Sequence, residues 1–498
     1  MYRNKGTITV FLSLISMLFL SLFCTMAESV RVQAARFQAA AAFDMGLFSI
    51  FGEYDRVLLE EYDLWFLDGS SEEQKIREVL ETKLEKYIQP NINPRYNLAA
   101  GRSWDVFPTE LDRCTVDKYA LATDHGGQVF YSQAVENQKE LFVGEAASAL
   151  KKNIKQMEEG HQKGEEYQNE EQKADEEYQR AQAAQMEEKK RQESEKENAE
   201  KQEESDTDIK ETEAVQAKVE NPLDQIKKIK SMGILGLVLK DGTVVSDKTI
   251  ERKDLPSERN LQKGSLLVDE ISADPVSEAI FLNYLQKHFQ CAVDEGGKHQ
   301  KGSKEHSLSY ELEYIIGGQK SDRENLKKTV NRILLIREGM NYATLAKSAK
   351  MRGEAMALAA AITGAAALPE FAGALQKLLM LAWAYGESLL DVRTLLAKGK
   401  VPMLKAETEW KLPLEKLGML AEVLKECDAG GGSGQSYEDY LSGLLILGKK
   451  QQRNLRVLDL IECNRRMEKG GETFRVDALV AQAEASADFE LAPVFLRI

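Results

Sequence analysis

GTITVFLSLISMLFLSLFCTMAESVR, residues 6–31, holds 21 uncharged residues from Thr7 to Ala27 and then an abrupt acid at Glu28. At about 1.5 Å per residue, such a run spans roughly 31 Å as a helix, the thickness of a bilayer's hydrocarbon core. The apolar region of a secretory signal is shorter, about 7 to 15 residues. Thr25-Met26-Ala27 approximates a small-x-small cleavage site, whereas bulky Phe23 before Cys24 disfavours lipid attachment there. The expectation is a retained membrane anchor in contact with lipid, its length marked by Thr7, Val10, Leu14, Leu18, Leu22 and Ala27.

The residues after Ala27 favour an anchor too. No Pro or Gly occurs between Thr7 and Met45, so nothing stops the helix at the membrane surface. An apolar stripe continues through Val30, Ala34, Phe37, Ala41, Met45 and Phe48, and on through Phe51, Tyr54, Leu58 and Tyr62 to Trp65. Every step is three or four residues, which places these positions on one helical face. Val30 to Phe48 are therefore the expected packing face of a stem. Arg3 and Lys5 on one side of the span nearly balance Arg31 and Arg36 on the other. A short tail before a long apolar run favours a cytoplasmic N-terminus and an external body.

The pattern Gly6-Thr7-Ile8-Thr9-Val10-Phe11, then Glu28, Arg31 and the alanines Ala39–Ala42, then Leu47–Asp55 and Tyr62–Leu67, resembles the stem of TadE/TadG-like pseudopilins. It is most similar to large, uncharacterised Gram-positive (clostridial-type) versions found among Tad (Flp) pilus assembly genes. Prepilin signals place a glutamate five residues after the cleavage glycine; counted from Gly6, that position is Phe11. The resemblance also takes in Leu312–Gly318, Arg332–Asn341, Ala382–Ser388, Asp391–Arg393 and Ser436–Leu441. It implies pilus or pseudopilin partner proteins, and no catalytic residues.

Beyond the stem, residues 72–90 read as an amphipathic helix ended by Pro90. Lys118–Thr123 and Gln128–Tyr131 flank Asp124-His125-Gly126-Gly127 and suggest a β-hairpin. In residues 151–220, 35 of 70 are charged, with no sustained heptad, so a solvated helix or disordered spacer is expected there. Met232–Leu239 and Leu308–Ile316 read as strands, and Ser277–Phe289 as a helix. Ser321 offers an N-cap to a helix through Leu326, Val330, Ile333 and Ile336. Met356–Leu368 and Ala374–Leu396 suggest a buried helical hairpin; Pro369, Glu370 and Lys377 argue against a second membrane span. Within it, Glu387, Asp391 and Arg393 are expected in a structural ion-pair network, since buried charges need partners. Helices at Tyr437–Leu447 and Arg453–Asn464 come after a glycine loop.

The 498-residue chain has 43% hydrophobic residues, enough for a sizeable core, and a formal net charge of -15, which excludes general nucleic-acid binding. His288, Cys291, His299 and His306 fall within 19 residues and are the candidate metal ligands, imidazole and thiolate being suited to zinc. Their spacing beyond the first pair matches no recognised site, so no metal and no cofactor are expected. Walker, dinucleotide, nucleophile-elbow and paired-histidine motifs are absent from the sequence, and no small-molecule substrate is expected.

The fold class expected is α+β, mostly helical, with a long N-terminal membrane-spanning helix, small β elements and a C-terminal helical bundle. The divisions are a cytoplasmic tail at 1–6, an anchor at 7–27, a stem and membrane-proximal region at 28–150, a spacer at 151–220, a small α/β region at 221–320 and the bundle at 321–498. The function expected is that of a non-enzymatic, single-pass envelope protein of a Tad-like pilus or secretion system. A tethered surface enzyme, such as a wall hydrolase, is the rival, and a one-span sensor a third reading.

Overall fold

The computed structural model describes residues 5–71, 75–92, 109–139, 144–200, 221–267, 274–293, 305–365, 371–427 and 431–491. In chain order the elements are α1 (Lys5–Phe51), α2 (Arg56–Tyr62), β1 (Leu67–Asp68), α3 (Ile76–Ile92), β2 (Thr109–Leu121), α4 (Asp124–Lys139), α5 (Gly144–Glu200), α6 (Pro222–Ser231), α7 (Ile234–Val238), α8 (Pro275–His288), α9 (Glu311–Gly317), α10 (Asp322–Lys347), α11 (Ala349–Ala365), α12 (Ala372–Leu396), α13 (Leu420–Glu426), α14 (Tyr437–Leu447), α15 (Lys450–Met467) and β3 (Leu479–Leu491). The chain is thus mostly helical with a small sheet. It forms two compact units, one of Met1–Asn137, Lys253–Ile271 and Ile461–Ile498, the other of Gln138–Arg252 and Ser272–Leu460. Neither matches the contiguous divisions expected from the sequence.

In the first unit a three-stranded antiparallel sheet, ordered β1-β3-β2, packs against α3 and the distal part of α1. The apolar face of α3 repeats every fourth residue, Ile76, Leu80, Leu84, Ile88 and Ile92, all buried. It meets the α1 face made by Ala35, Ala39, Ala42, Gly46 and Ile50. Gly46 sets the approach: a Cβ there would lie 2.7 Å from Ile88 Cγ1. Pro90 does not end α3. Pro90 and Lys86 both face solvent, so water takes the carbonyl that the proline leaves without its amide donor, while buried Ile92 holds the last turn down.

The hairpin expected around Asp124 does not form. Residues 128–131 are helical, and β2 pairs instead with β3, roughly 360 residues downstream. The Asp-His-Gly-Gly turn serves as a kink: His125, Gly126 and Gly127 have φ of 53°, 71° and 81°. Asp124 fastens it, accepting hydrogen bonds from Leu121 N at 2.7 Å and Gly264 N at 2.9 Å. Register shifts at Asp112 and Asp117 bulge β2 against its partner. Arg259 holds segment 253–267 through a bidentate pair with Glu462 at 2.6 and 2.8 Å and a contact with Asp477 at 2.6 Å, both acids fully buried. The stripe expected to run to Trp65 is interrupted, because α1 ends at Phe51 and the chain turns before α2 begins.

The second unit is helical and is built around α10 and α12. Ser321 caps α10 as expected, its hydroxyl accepting from Glu324 N at 3.3 Å. Two segments read as strands are short helices, α7 and α9. Every residue of α9 is buried, so no amphipathic period marks it. The spacer expected at 151–220 is corrected over its first part, where α5 buries Asn153, Met157, Tyr167 and Ala174 in this unit. Residues 201–220 lie outside the described residues. Contact between α5 and α10 is backbone-close, since a Cβ on Gly339 would stand 2.3 Å from Gly164 N and one on Gly160 would stand 2.7 Å from Ile336 Cγ2. From Leu378 to Leu395, α12 is buried without interruption, as expected for that arm. The other expected arm differs: α11 buries Met351, Ala355, Ala359 and Thr363 and leaves Met356 and Ala357 exposed, while residues 366–370 lie outside the described residues.

The ion-pair network expected on α12 is present with different members. Arg337 donates to Asp391 at 2.8 and 3.0 Å, and Lys405 pairs with both Glu387 and Asp391. All four side chains are almost fully buried. Arg393 lies outside this network and donates to the carbonyls of Leu237 and Leu239.

Gly339→Ala is expected to destabilise the protein by roughly 1–3 kcal/mol through overpacking against Gly164. Asp391→Asn, which leaves Arg337 and Lys405 under-compensated, is expected to cost roughly 3–5 kcal/mol. Urea denaturation followed by circular dichroism measures both, and an unchanged midpoint in either variant would contradict the packing or the pairing described.

Candidate functional site

The N-terminal half of α1 is an apolar rod that is exposed among the described residues. Val10, Leu14, Leu18 and Leu22 are more than half exposed, and Thr7 and Ala27 are exposed with them. Two of its hydroxyls bond to the helix itself: Ser13 Oγ donates to Val10 O at 2.9 Å and Thr25 Oγ1 to Leu22 O at 2.8 Å. Hydroxyls satisfied in this way remove the main cost of placing the rod in hydrocarbon. Among the described residues this is the one helix long and apolar enough to cross a membrane, as an anchor or a signal sequence does.

The distal half of α1 has two faces. Ala35, Ala39, Ala42, Gly46 and Ile50 point into the first unit. Val30, Phe37, Met45 and Phe48 lie on the opposite side and are 68%, 79%, 47% and 84% exposed. Ala34 and Ala41 sit between at intermediate exposure. At 100° per residue the two sets are separated by more than a third of a turn, so burial of one leaves the other outside. The stripe expected to pack a stem is thus not consumed by its own fold. From Val30 to Phe48 it runs about 27 Å.

The candidate metal ligands do not converge. The His288 ring tilts against Tyr284, with centroids 4.6 Å apart, and Cys291 Sγ donates to Val293 O at 3.2 Å. His306 Nδ1 lies 2.8 Å from Glu311 Oε1. His299 lies outside the described residues, and among those described no three His, Cys, Asp or Glu side chains are grouped to hold a metal.

Acids from α9 organise this neighbourhood instead, a role that no spacing or motif foretold. Glu311 accepts from Gln290 N and Glu313 from Ala292 N, both at 2.9 Å, so two carboxylates staple the strand-like segment after α8. Tyr437 on α14 donates to the same Glu313 oxygen at 2.9 Å, while Glu313 Oε2 has no partner among the described residues. Burial pushes the Glu313 carboxyl up to about 7, and the Tyr437 hydroxyl is raised well above its usual range, first by burial and then by Glu313. Asp322 at the start of α10 is likewise raised by burial, although Ser246 Oγ and the Ser309 and Tyr310 amides donate to it. Glu313 and Tyr437 are both fully buried, so the pair fastens α9 to α14 and holds a proton near neutrality out of reach of solvent. The one signal available was chemical: two acids inside an otherwise apolar stretch must find partners.

A family described as a family of unknown function (DUF5702) matches residues 212–491, more than half of the chain. No curated protein and no solved structure matches it.

Glu313 makes stability pH-dependent in a definite direction. Between about 4.5 and 7 the unfolded chain loses this proton while the folded chain keeps it, so the Glu313 contribution to stability falls as pH rises through that window and is level above it, where buried Glu338, pushed up to about 8, continues the fall. The full effect is roughly 3 kcal/mol. Glu313→Gln is expected to flatten this part of the profile, as read by denaturation midpoints from pH 4.5 to 8; a slope identical to that of the parent protein would rule the assignment out.

Proposed function

The chain belongs to that family of unknown function, DUF5702, and we propose that it is a membrane-anchored, non-enzymatic envelope protein, a minor or pseudopilin-like component of a Tad/Flp-type pilus or secretion system. The observation that carries this reading is α1. One unbroken helix passes from a lipid-compatible rod into the spine of a folded unit and keeps a second apolar face outside that fold. A discarded signal has no use for such a continuation. The resemblance of the stem to TadE/TadG-like pseudopilins supplies the kind of assembly. In this reading Thr7–Ala27 stays in the cell membrane as a single span, the N-terminus is cytoplasmic and the two units are extracellular. The partners are membrane lipid and the stems of neighbouring pilus proteins, which lie along Val30, Phe37, Met45 and Phe48. Close approach is helped by Ala34 and Ala41, small residues that let helix backbones near one another.

N-terminal sequencing of protein from the membrane fraction is expected to begin at or near Met1; a start at Thr7 or Glu28 would overturn the anchor. Deletion of the gene is expected to abolish piliation, and Phe37→Glu with Phe48→Glu is expected to do the same while leaving the amount of membrane-bound protein and its unfolding midpoint unchanged. Normal piliation in the deletion strain would overturn the pilus assignment.

A further inference from the structure

In a chain with net charge -15, one place in the second unit gathers three cationic side chains, where the nearby acid Asp459 acts on Arg456 through its field and not through an ion pair. Three side chains converge on the C-terminal carbonyls of α9. Lys328 Nζ donates to Gly317 O at 2.8 Å, and Arg332 Nη1 donates to Ile316 O at 3.2 Å. Arg456 Nη1 donates to Ile315 O at 2.9 Å and Ile316 O at 3.0 Å. Three heads bonded to three consecutive carbonyls necessarily sit side by side. Among the described residues, none of the three forms an ion pair with a carboxylate. Elsewhere in this unit the arrangement is the reverse: Arg337, Lys405 and Arg453 each rest directly on an acid.

A helix C-terminus attracts cations, but one suffices for the partial charge of about half a unit found there. Here the negative end of a seven-residue helix holds three full charges. The carbonyls use only part of their donors, since a guanidinium has five N–H groups and an ammonium three. The arrangement is built rather than incidental. Gly318 has φ 62°, and a Cβ on it would lie 2.3–2.6 Å from the Arg456 guanidinium, so only glycine lets that head lie against the backbone. Lys328 and Arg332, four apart, share one face of α10. Farther along the same face, Arg332 forms with His161 the polar part of the lining of a cavity of about 180 Å³. All three residues are partly exposed, open to a ligand from solvent. The cations also feel one another. Burial first, and then Arg332, Arg456 and Arg252, hold the Lys328 ammonium below the usual lysine range.

We propose that Lys328, Arg332 and Arg456 form a binding site for a phosphate-bearing anion, whose oxygens take up the N–H donors that the α9 carbonyls leave over. Charge-assisted hydrogen bonds from a guanidinium fork suit phosphate geometry, and a multivalent anion relieves the repulsion among the three heads. The site lies within the residues shared with the family and is independent of whether α1 is an anchor.

The test is calorimetric titration of the full chain, in an uncharged detergent, with pyrophosphate against sodium chloride of equal ionic strength. A separate arm uses glycerophosphoglycerol, the deacylated headgroup of an anionic lipid. Saturable pyrophosphate binding with no response to the diester assigns a free phosphate ligand; comparable binding of the diester assigns a lipid or polymeric phosphodiester. Lys328→Gln and Arg332→Gln are each expected to weaken binding roughly tenfold, the loss of one charged hydrogen bond. Arg332→Lys, which keeps the charge, is expected to recover part of the loss. Each variant's thermal midpoint without ligand is read alongside, and Lys328→Gln, which gives up a single bond to Gly317 O, is the variant that keeps the fold if Arg332→Gln does not. Absence of saturable binding of either probe at millimolar concentration, or binding to Lys328→Gln as tight as to the parent, overturns the proposal.

Discussion

The pairing of β2 with β3 is the constraint on which the rest of the chain is arranged. Thr109–Leu121 finds its hydrogen-bond partner at Leu479–Leu491, and between them the chain leaves the first unit after Asn137, returns for Lys253–Ile271, and comes back at Ile461. Closing a loop of roughly 360 residues costs about 5 kcal/mol beyond a constant, and local turn chemistry does nothing to reduce it. What offsets that cost is a long ladder with complementary cross-strand pairs. Arg113 stands opposite Asp488 and Lys118 opposite Glu484, and Thr115 hydrogen-bonds Ser486 at 2.9 Å, although Glu110 and Glu490 face each other as like charges. The apolar side of the ladder then receives α3, and α3 in turn receives α1.

That chain of packing explains how one helix carries two kinds of surface. From Thr7 to Ala27 the α1 surface is apolar, and the Ser13 and Thr25 hydroxyls are spent on its own carbonyls. Beyond Ala27 the requirement changes, and the helix needs one face small enough for α3 to approach closely. The alanines and Gly46 provide it, and the larger Val30, Phe37 and Phe48 are displaced to the other side. The small residues Ala35, Ala39, Ala42 and Gly46 therefore set the close approach, while Ile50, with Phe43, Leu47 and Phe51 beside it, fills the core around them. A pattern that counts only apolar residues sees the large set, because its steps of three and four are equally regular.

The same distinction accounts for how much was legible in the sequence. The long apolar helix, α8, α10, α12 and α14 were readable because capping residues and long apolar periods are local signals; Asp274, Ser321 and Ser436 each accept from the first turn of their helix. The helices α7 and α9 were misread because short, wholly buried segments have no polar side to mark a period. The β2 partner was missed because hairpin grammar is local, whereas β3 lies near the other end of the chain. Its own signal was present: AQAEASADFEL alternates small or apolar residues with polar ones over residues 481–491, a period of two that alanine's low hydrophobicity disguises. Around the candidate site, Gly160 and Gly164 inside a highly charged helix were the unread mark of a close crossing. Proximity in sequence did not make a metal cluster of the candidate ligands His288, Cys291 and His306 among the described residues.

Positive charge is placed in three ways in this acidic chain, and the contrast among them separates scaffold from site. Arg337 and Lys405 are sealed with Asp391 and Glu387, and Arg259 with Glu462 and Asp477; such pairs cannot accept a ligand without breaking the core. Arg393 is spent on the Leu237 and Leu239 carbonyls, a fastening of α12 to α7. Lys328, Arg332 and Arg456 combine the second use with an excess of positive charge, being anchored by carbonyls and, among the described residues, in no direct ion pair, with Asp459 acting on Arg456 through its field alone. A purely structural cap would gain by pairing one of the three with an acid, which an excess of 15 negative charges makes readily available. Keeping all three unmatched costs stability through mutual repulsion, and that cost is recovered only when an anion from outside the chain binds.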